Sequence, residues 1–444
     1  MKKIITYLIL VLSLVVFIYL GKSKLGAFFC NQGNYYYEQK LYKKAEIYYK
    51  NSIKVDSKAW MAHLGLAQVY LDSKDYLAAI SEYKIVLNMN PSCVRAYESL
   101  SYIYELRGNY VEALQVLARG QKENTNEEGI KEALKNCCHA YLIKSLNKSL
   151  ELFLAQKTTE AIFMLDNVLM QCPGNALAYY TLGCYYFSSE DYVNAKINLN
   201  KSVDIDPRFQ LAHKLLADLY LEIGYSEKAI FHAQKVVAID NQDASGYHEL
   251  GLLFMLSERY AEALPYLKKA VSLAPHNVEF AYSLASVYRD NKMLSQAIVE
   301  YTKVAALKDN YPNLHNDLAD IYLILNKPDQ ALVEYRKEVR YCQDRIKYTP
   351  FDPVVLNSYA YALNGAGESI LAQEVAENLV FKYPGYRNAH LTMSKIYEKN
   401  KKHDLALASL EKARRLSPGE KFINEEIFKL KQAALIRKNI SQRK

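Results

Sequence analysis

The sequence predicts an all-α solenoid of about eleven helix-turn-helix units, preceded by an N-terminal transmembrane helix. Three observations carry this: alanines recurring at a 34-residue step, a small residue and an aromatic at fixed offsets before each alanine, and an apolar run at the start of the chain. The alanines stand at 45, 79 and 113, then at 161, 195, 229, 263, 297 and 331, then at 372 and 406. The steps between the groups are 48 and 41, so insertions of 14 and 7 residues interrupt an otherwise constant period. A fixed period of this length marks a supersecondary unit that buries its apolar face only against its neighbours.

Within a unit an apolar–small pair comes first, as in Leu66-Ala67, Leu182-Gly183, Leu216-Ala217, Leu250-Gly251, Leu284-Ala285 and Leu318-Ala319. Three residues later an aromatic recurs, at Tyr36, Tyr70, Tyr104, Tyr186, Tyr220, Phe254, Tyr288, Tyr322 and Tyr397. Four residues after the alanine stands a large side chain, at Tyr49, Tyr83, Tyr301 and Tyr335. Small residues let two helices approach, and the aromatic fills the space between them. Prolines 91, 173, 207, 275, 384 and 418 close units, since proline cannot continue a helix. The pattern weakens around Ala161 and Ala372, where the aromatic becomes Leu152 and Leu363.

This pattern resembles the tetratricopeptide repeat, a 34-residue antiparallel helix pair, over nearly all of residues 26–420. The resemblance implies a right-handed superhelical solenoid. Units 1–3 would occupy 26–127, a helical insertion 128–141, units 4–9 142–345, a second insertion 346–352, and units 10–11 353–420. Residues 421–444 read as a capping helix and basic tail, with Phe422, Ile423, Ile427, Leu430 and Leu435 covering the last unit. The two insertions are candidate joints in the solenoid. Most of the 39 tyrosines then have packing roles, as do His63, His213, His315 and His390 at the fourth position of their units.

At the N-terminus, residues 1–3 form a short tail and Ile4 to Leu20 a run broken only by Thr6 and Ser13. The run is short for a bilayer span and long for a signal-peptide core. Without a small-x-small cleavage site before Lys22, an uncleaved single-pass anchor is the preferred reading and a cleaved signal the rival. Lys2 and Lys3 favour an extracytoplasmic body, and Lys22 and Lys24 nearly cancel that bias.

Net charge is +8, but it resides at the two ends of the chain, leaving the body neutral. A nucleic-acid surface needs clustered basic charge, so no nucleic-acid partner is expected. The seven cysteines are an odd number without framework spacing and imply no disulfide scaffold. Cys137-Cys138 read as half-buried thiols on a helix. There is no glycine-rich phosphate loop, no His-Glu-x-x-His, no Cys-x-x-Cys and no nucleophile elbow, so neither enzyme, cofactor nor metal is expected.

The resemblance places a binding groove on the first helix of each unit. Mapped here it is largely apolar and aromatic: Tyr102 from unit 3; Tyr180, Cys184 and Phe187 from unit 5; His248, Leu252 and Met255 from unit 7; Tyr282, Ser286 and Arg289 from unit 8; Asn357, Tyr361 and Asn364 from unit 10. The lysine–asparagine pattern that clamps acidic C-terminal tails is absent, with Cys30/Asn34, Leu64/Gln68 and Glu98/Tyr102 at those places. An asparagine ladder is represented only by Asn34, Asn316, Asn357 and Asn364. An apolar groove with sparse polar points suits a peptide docked by side-chain pockets. The expected function is a membrane-tethered, non-catalytic scaffold for protein partners in an envelope assembly or secretion complex. The alternative is an accessory subunit of a polysaccharide- or peptidoglycan-modifying enzyme.

Overall fold

The structure, a computed structural model, describes residues 21–124 and 127–441, with side chains through 432. Among these residues the chain forms twenty-three helices and no strand. Its contacts divide it between Ala212 and His213 into two compact units.

In the first unit α1 (21–38) pairs with α2 (Tyr42–Val55), α3 (Trp60–Asp72) with α4 (Tyr76–Met89), and α5 (Val94–Leu106) with α6 (Tyr110–Glu123). There follow α7 (Glu128–Leu154) with α8 (Thr158–Gln171) and α9 (Ala176–Ser188) with α10 (Tyr192–Ile205). The division falls inside α11 (Gln210–Glu222), whose partner is α12 (Ser226–Ile239). The second unit continues with α13 (Ala244–Leu256) and α14 (Tyr260–Leu273), α15 (Val278–Asp290) and α16 (Leu294–Leu307), and α17 (Leu314–Ile324) and α18 (Pro328–Ile346). It ends with α19 (Pro353–Gly365) and α20 (Ser369–Lys382), α21 (Arg387–Lys399) and α22 (His403–Leu416), and α23 (Lys421–Ser441).

All eleven register alanines are buried, none more than 1% exposed. A methyl at this point lets the two helices of a pair touch. The large residue four positions later fills the adjacent space: Tyr49, Tyr83, Tyr301 and Tyr335 are all buried. The small residues opposite them are sterically required. A Cβ on Gly65 would lie 2.4 Å from the Tyr49 ring, and one on Gly365 2.5 Å from that of Tyr335. The histidines at 63, 213, 315 and 390 are buried as well.

The turn inside each pair has one geometry throughout. Lys40, Lys74, Gly108, Gln156, Glu190, Gly224, Glu258, Lys292, Asn326, Gly367 and Lys401 all have positive φ, at the same place in all eleven repeats. The next residue's N–H reaches back across the turn, as Asp75 does to the Tyr70 carbonyl (2.8 Å) and Met293 to that of Tyr288 (2.8 Å). This closes the helix end in a Schellman arrangement and satisfies carbonyls that would otherwise be orphaned.

The first insertion lies in a long helix, and the second is the turn that follows one. Residues 128–141 are the first turns of α7, which runs for 27 residues. Helix α18 runs for 19 residues, and after 346–352 Asp352 caps α19, accepting from the N–H groups of Val354 (2.9 Å) and Val355 (3.4 Å). Pro353 follows at the first helical position, where a missing N–H costs nothing. In α23, Ile423, Ile427 and Leu430 are buried, Phe422 is half exposed, and Leu435 lies beyond the described side chains.

Two expectations are corrected. A transmembrane helix, and with it a single-pass membrane localisation with an extracytoplasmic body, is not supported: among the described residues no helix is long and apolar enough to cross a membrane. A span needs about 20 apolar residues, and the longest helix, α7, carries Lys131, Lys135, Lys144 and Lys148. The run 4–20 itself lies outside the described residues. The cysteines are not all free, because Cys138 and Cys172 form a disulfide with Cα atoms 6.0 Å apart. They are separated by 34 residues, and the extra turns of α7 set Cys138 beside Cys172 at the end of its partner helix α8.

Candidate functional site

In the second unit the first helices of successive repeats stack, with α17 and α21 both packed on α19. Asp317 and Asp320, three residues apart on α17, share a face of that helix. Each carboxylate gathers phenol hydroxyls from neighbouring repeats. Asp317 accepts from Tyr282 (2.5 Å) and Tyr301 (3.1 Å), and its other oxygen takes Nη1 of Arg289 at 2.5 Å. The Ser286 hydroxyl lies 3.0 Å from that of Tyr301. Asp320 accepts from Tyr335 (2.5 Å) and from Tyr361 (2.8 Å). Nζ of Lys395 donates to the Tyr361 hydroxyl at 3.0 Å and lies 4.6 Å from its ring centre. Lys399 donates to the Asn364 carbonyl.

Burial dominates the electrostatics of this face. It pushes the phenols of Tyr282, Tyr335 and Tyr361 far above their ordinary range, reinforced by the carboxylate each one meets. It raises the Asp317 carboxyl against the opposing pull of Arg289 and Tyr282, and lowers Lys399. Hydrogen bonds to a charged acceptor in a poorly solvated place are the strong ones, so this array is preorganised and rigid.

Two clefts open along it. One, of about 700 Å³, is lined by Asp320, Leu323, Asn364 and Lys399 among others. The second, of about 420 Å³, lies among α19, α21, α22 and α23. Tyr361, Lys395 and Glu398 line both, so the clefts adjoin. Their volumes lie in the range that holds a peptide side chain or a small ligand.

The residues singled out from sequence divide among several environments. Tyr282, Arg289, Asn357, Tyr361 and Asn364 belong to the array or line the clefts. Ser286 is buried beneath it. His248 is buried too, its ring 4.4 Å from that of Phe280 and its Nε2 2.9 Å from the Ser283 hydroxyl, and burial pushes it below the ordinary histidine range. Leu252 and Met255 are half-buried. In the first unit Tyr102 is exposed. Tyr180 packs edge-on to Phe209 at 5.2 Å, and burial together with Cys184 pushes its phenol up to about 12. Phe187 packs at 5.8 Å from Tyr192.

Asp317, Asp320, Lys395, Glu398 and Lys399 were not singled out. For Asp320 and Lys395 the sequence holds a signal: they occupy the repeat position of Ser286 and Tyr361, with steps of 34, 41 and 34 residues along the series 286, 320, 361 and 395. Asp317 stands where no periodic rule points to it.

Tetratricopeptide repeat models match residues 30–87, 64–127, 176–209, 254–300 and 388–420. The chain is similar to the TPR repeat-containing protein YpiA of Bacillus subtilis, 26% identical over 275 residues, covering 56% of this chain and 63% of that one. It is also similar to Superkiller protein 3 of Schizosaccharomyces pombe, 25% identical over 232 residues, covering 50% of this chain and 16% of that one. The chain thus spans less than two thirds of these relatives' length. Among solved structures, a tetratricopeptide repeat protein from Parabacteroides merdae gives a TM-score of 0.45 at 15% identity, covering 65% of this chain and 98% of that one.

Proposed function

We propose, from the premise that this chain belongs to the tetratricopeptide repeat family, that it is a non-catalytic interaction scaffold whose second unit holds a peptide segment of a protein partner. The observation that carries the reading is the pair of adjoining clefts over α17, α19 and α21, with walls held by the Asp320 array of Tyr335 and Tyr361. Preorganised walls spare a binding site the entropy of ordering itself. Alternating apolar and hydrogen-bonding groups along the face suit an extended segment that seats side chains at intervals. The narrower expectation of an envelope assembly or secretion complex rests on the 4–20 run alone and forms no part of this proposal. The same holds for the polysaccharide-enzyme alternative, for which no structural feature speaks.

The test is selection of peptides from a random displayed library on the full chain, with affinities measured by calorimetry. Lys395 is exposed, so Lys395→Glu leaves the packing intact. The expected result is peptides whose affinity changes at least about tenfold in that variant. A library that yields no binder, or binders indifferent to Lys395→Glu, overturns the groove reading.

A further inference from the structure

The smaller cleft has a chemical bias beyond the presence of a groove. Thr392 and Ser394, at 4% and 2% exposure, line it with hydroxyl-bearing side chains. The side-chain oxygen of Asn357, also in the wall, is buried and has no hydrogen-bond partner among the described residues. Buried polar groups are normally paired, so an unpaired carbonyl oxygen in the wall, near two hydroxyl side chains, marks a place where a ligand's donors complete the pairing. The Asn388 Oδ1, by contrast, is already occupied by Nε (3.1 Å) and Nη2 (3.0 Å) of Arg387.

The charges at the mouth give the ligand's sign. Glu398 and Glu426 stand there against one cation, Lys395. The Lys395 ammonium is already engaged with the hydroxyl and ring of Tyr361. Glu426 is held by Lys429 at 2.6 Å, whereas the Glu398 carboxylate has no hydrogen bond or ion pair among the described residues. Tyr361 and Phe422 add aromatic surface, and Phe422 is 48% exposed although it sits on an otherwise buried stripe of α23. Leu391 and Leu410 line the apolar remainder. The cleft therefore offers acceptors, a carboxylate with no direct hydrogen-bonded partner, flat rings and an aliphatic wall.

We propose that this cleft takes the guanidinium end of an arginine side chain carried by the partner peptide, an inference that rests on the groove reading above. Arginine brings a planar fork of donors for the hydroxyls and Glu398, stacks on aromatic faces, and lays its aliphatic stem along apolar walls. A lysine supplies one compact donor head and no stacking plane.

The probe is N-acetyl-arginine methylamide, titrated into the full chain with methyl-labelled leucines, and the readout is the NMR shifts of Leu391 and Leu410. The isosteric neutral citrulline amide and the norleucine amide are the controls. The arginine probe should give saturable shifts, the controls should bind at least about tenfold more weakly, and Glu398→Gln should weaken the arginine probe by a similar factor. Glu398 is exposed, so the variant folds. No saturable shift, or citrulline binding as well as arginine, overturns the proposal. Either outcome is separable from the groove reading, because the library can yield binders without arginine, and the amide can bind when the library yields none.

Discussion

The tyrosine four residues after the register alanine occupies one place in every repeat that has it, but its hydroxyl meets different company in the two units. In the first, Tyr49 donates to the side-chain carbonyl of Asn34 (2.7 Å) and Tyr83 to that of Gln68 (3.1 Å). In the second, Tyr335 donates to the carboxylate of Asp320 (2.5 Å), at the same repeat position as Asn34 and Gln68, and Tyr301 to that of Asp317 (3.1 Å). The ring packs identically, so packing cannot be the reason for the change. What changes is the group that receives this hydroxyl: a neutral amide in repeats 1 and 2, and in the second unit carboxylates that also bond side chains of other repeats. The comparison teaches that the packing pattern which makes the fold recognisable is indifferent to the residues that give one stretch of it a binding chemistry.

The units also differ in what staples them. The first has the Cys138–Cys172 disulfide, and the second holds its repeats with buried carboxylates. Closing a loop of about 35 residues lowers the entropy of the unfolded chain by up to about 4 kcal/mol. Reduction, or Cys172→Ser, should therefore destabilise the first unit by about 2–4 kcal/mol and leave the second unchanged. Hydrogen exchange resolved by segment reads both, and equal loss of protection in the two units would break the comparison. Next in size, Asp320→Ala leaves the hydroxyls of Tyr335 and Tyr361 without their acceptor and should cost about 2–3 kcal/mol in denaturant unfolding. The matching change in the first unit, Asn34→Ala, removes the neutral bond from Tyr49 and should cost about 1 kcal/mol. Equal losses would mean that the charge adds nothing.

A third contrast is pH. Glu338, fully buried on α18, accepts from the Ser358 hydroxyl (2.7 Å) and the His315 backbone N–H (3.3 Å), and burial raises its carboxyl above the ordinary glutamate range. An acid whose pKa is raised by folding binds its proton more tightly in the native state. Its contribution to stability is therefore greatest below the ordinary glutamate pKa and declines as pH rises through that value towards the folded one. Glu338→Gln cannot titrate. The stability of the variant relative to the native chain should climb over that window, read from unfolding midpoints at a series of pH values. A constant difference would show that folding leaves the Glu338 pKa unchanged.

The repeat was legible because its alanines, small residues and aromatics are dictated by contacts that every unit must make. Much of the array was not, because nothing in packing requires an acid at 317, and its partner Arg289 lies on another repeat. Asp320 and Lys395 could have been found by reading the groove position through every unit, including those whose residues do not look apolar. His248 shows the converse error. A groove position counted along an ideal helix is only an angle, and in unit 7 the neighbouring Phe280 covers it. The disulfide was hidden by the insertion: Cys138 reaches Cys172 only because extra turns lengthen α7 alongside the end of its partner α8.

The smallest effect tests what the units share. Eight of the eleven intra-repeat turns place a residue with a Cβ at positive φ, where the side chain crowds the backbone at a cost of roughly 1 kcal/mol. Glycine relieves that crowding but loses more entropy on folding, so the net gain is smaller. Lys74→Gly in the first unit (φ 63°) and Lys292→Gly in the second (φ 62°) should each stabilise by about 0.5 kcal/mol. The reverse change has a clean site at Gly224, where an added Cβ meets nothing within 4 Å, so Gly224→Ala registers the backbone cost alone. Because the turn has the same dihedral in both units, the two gains should agree. A gain confined to one unit would mean that the charged array and the disulfide alter the turns as well as the faces, and the two halves would then differ in their scaffold and not only in what they carry.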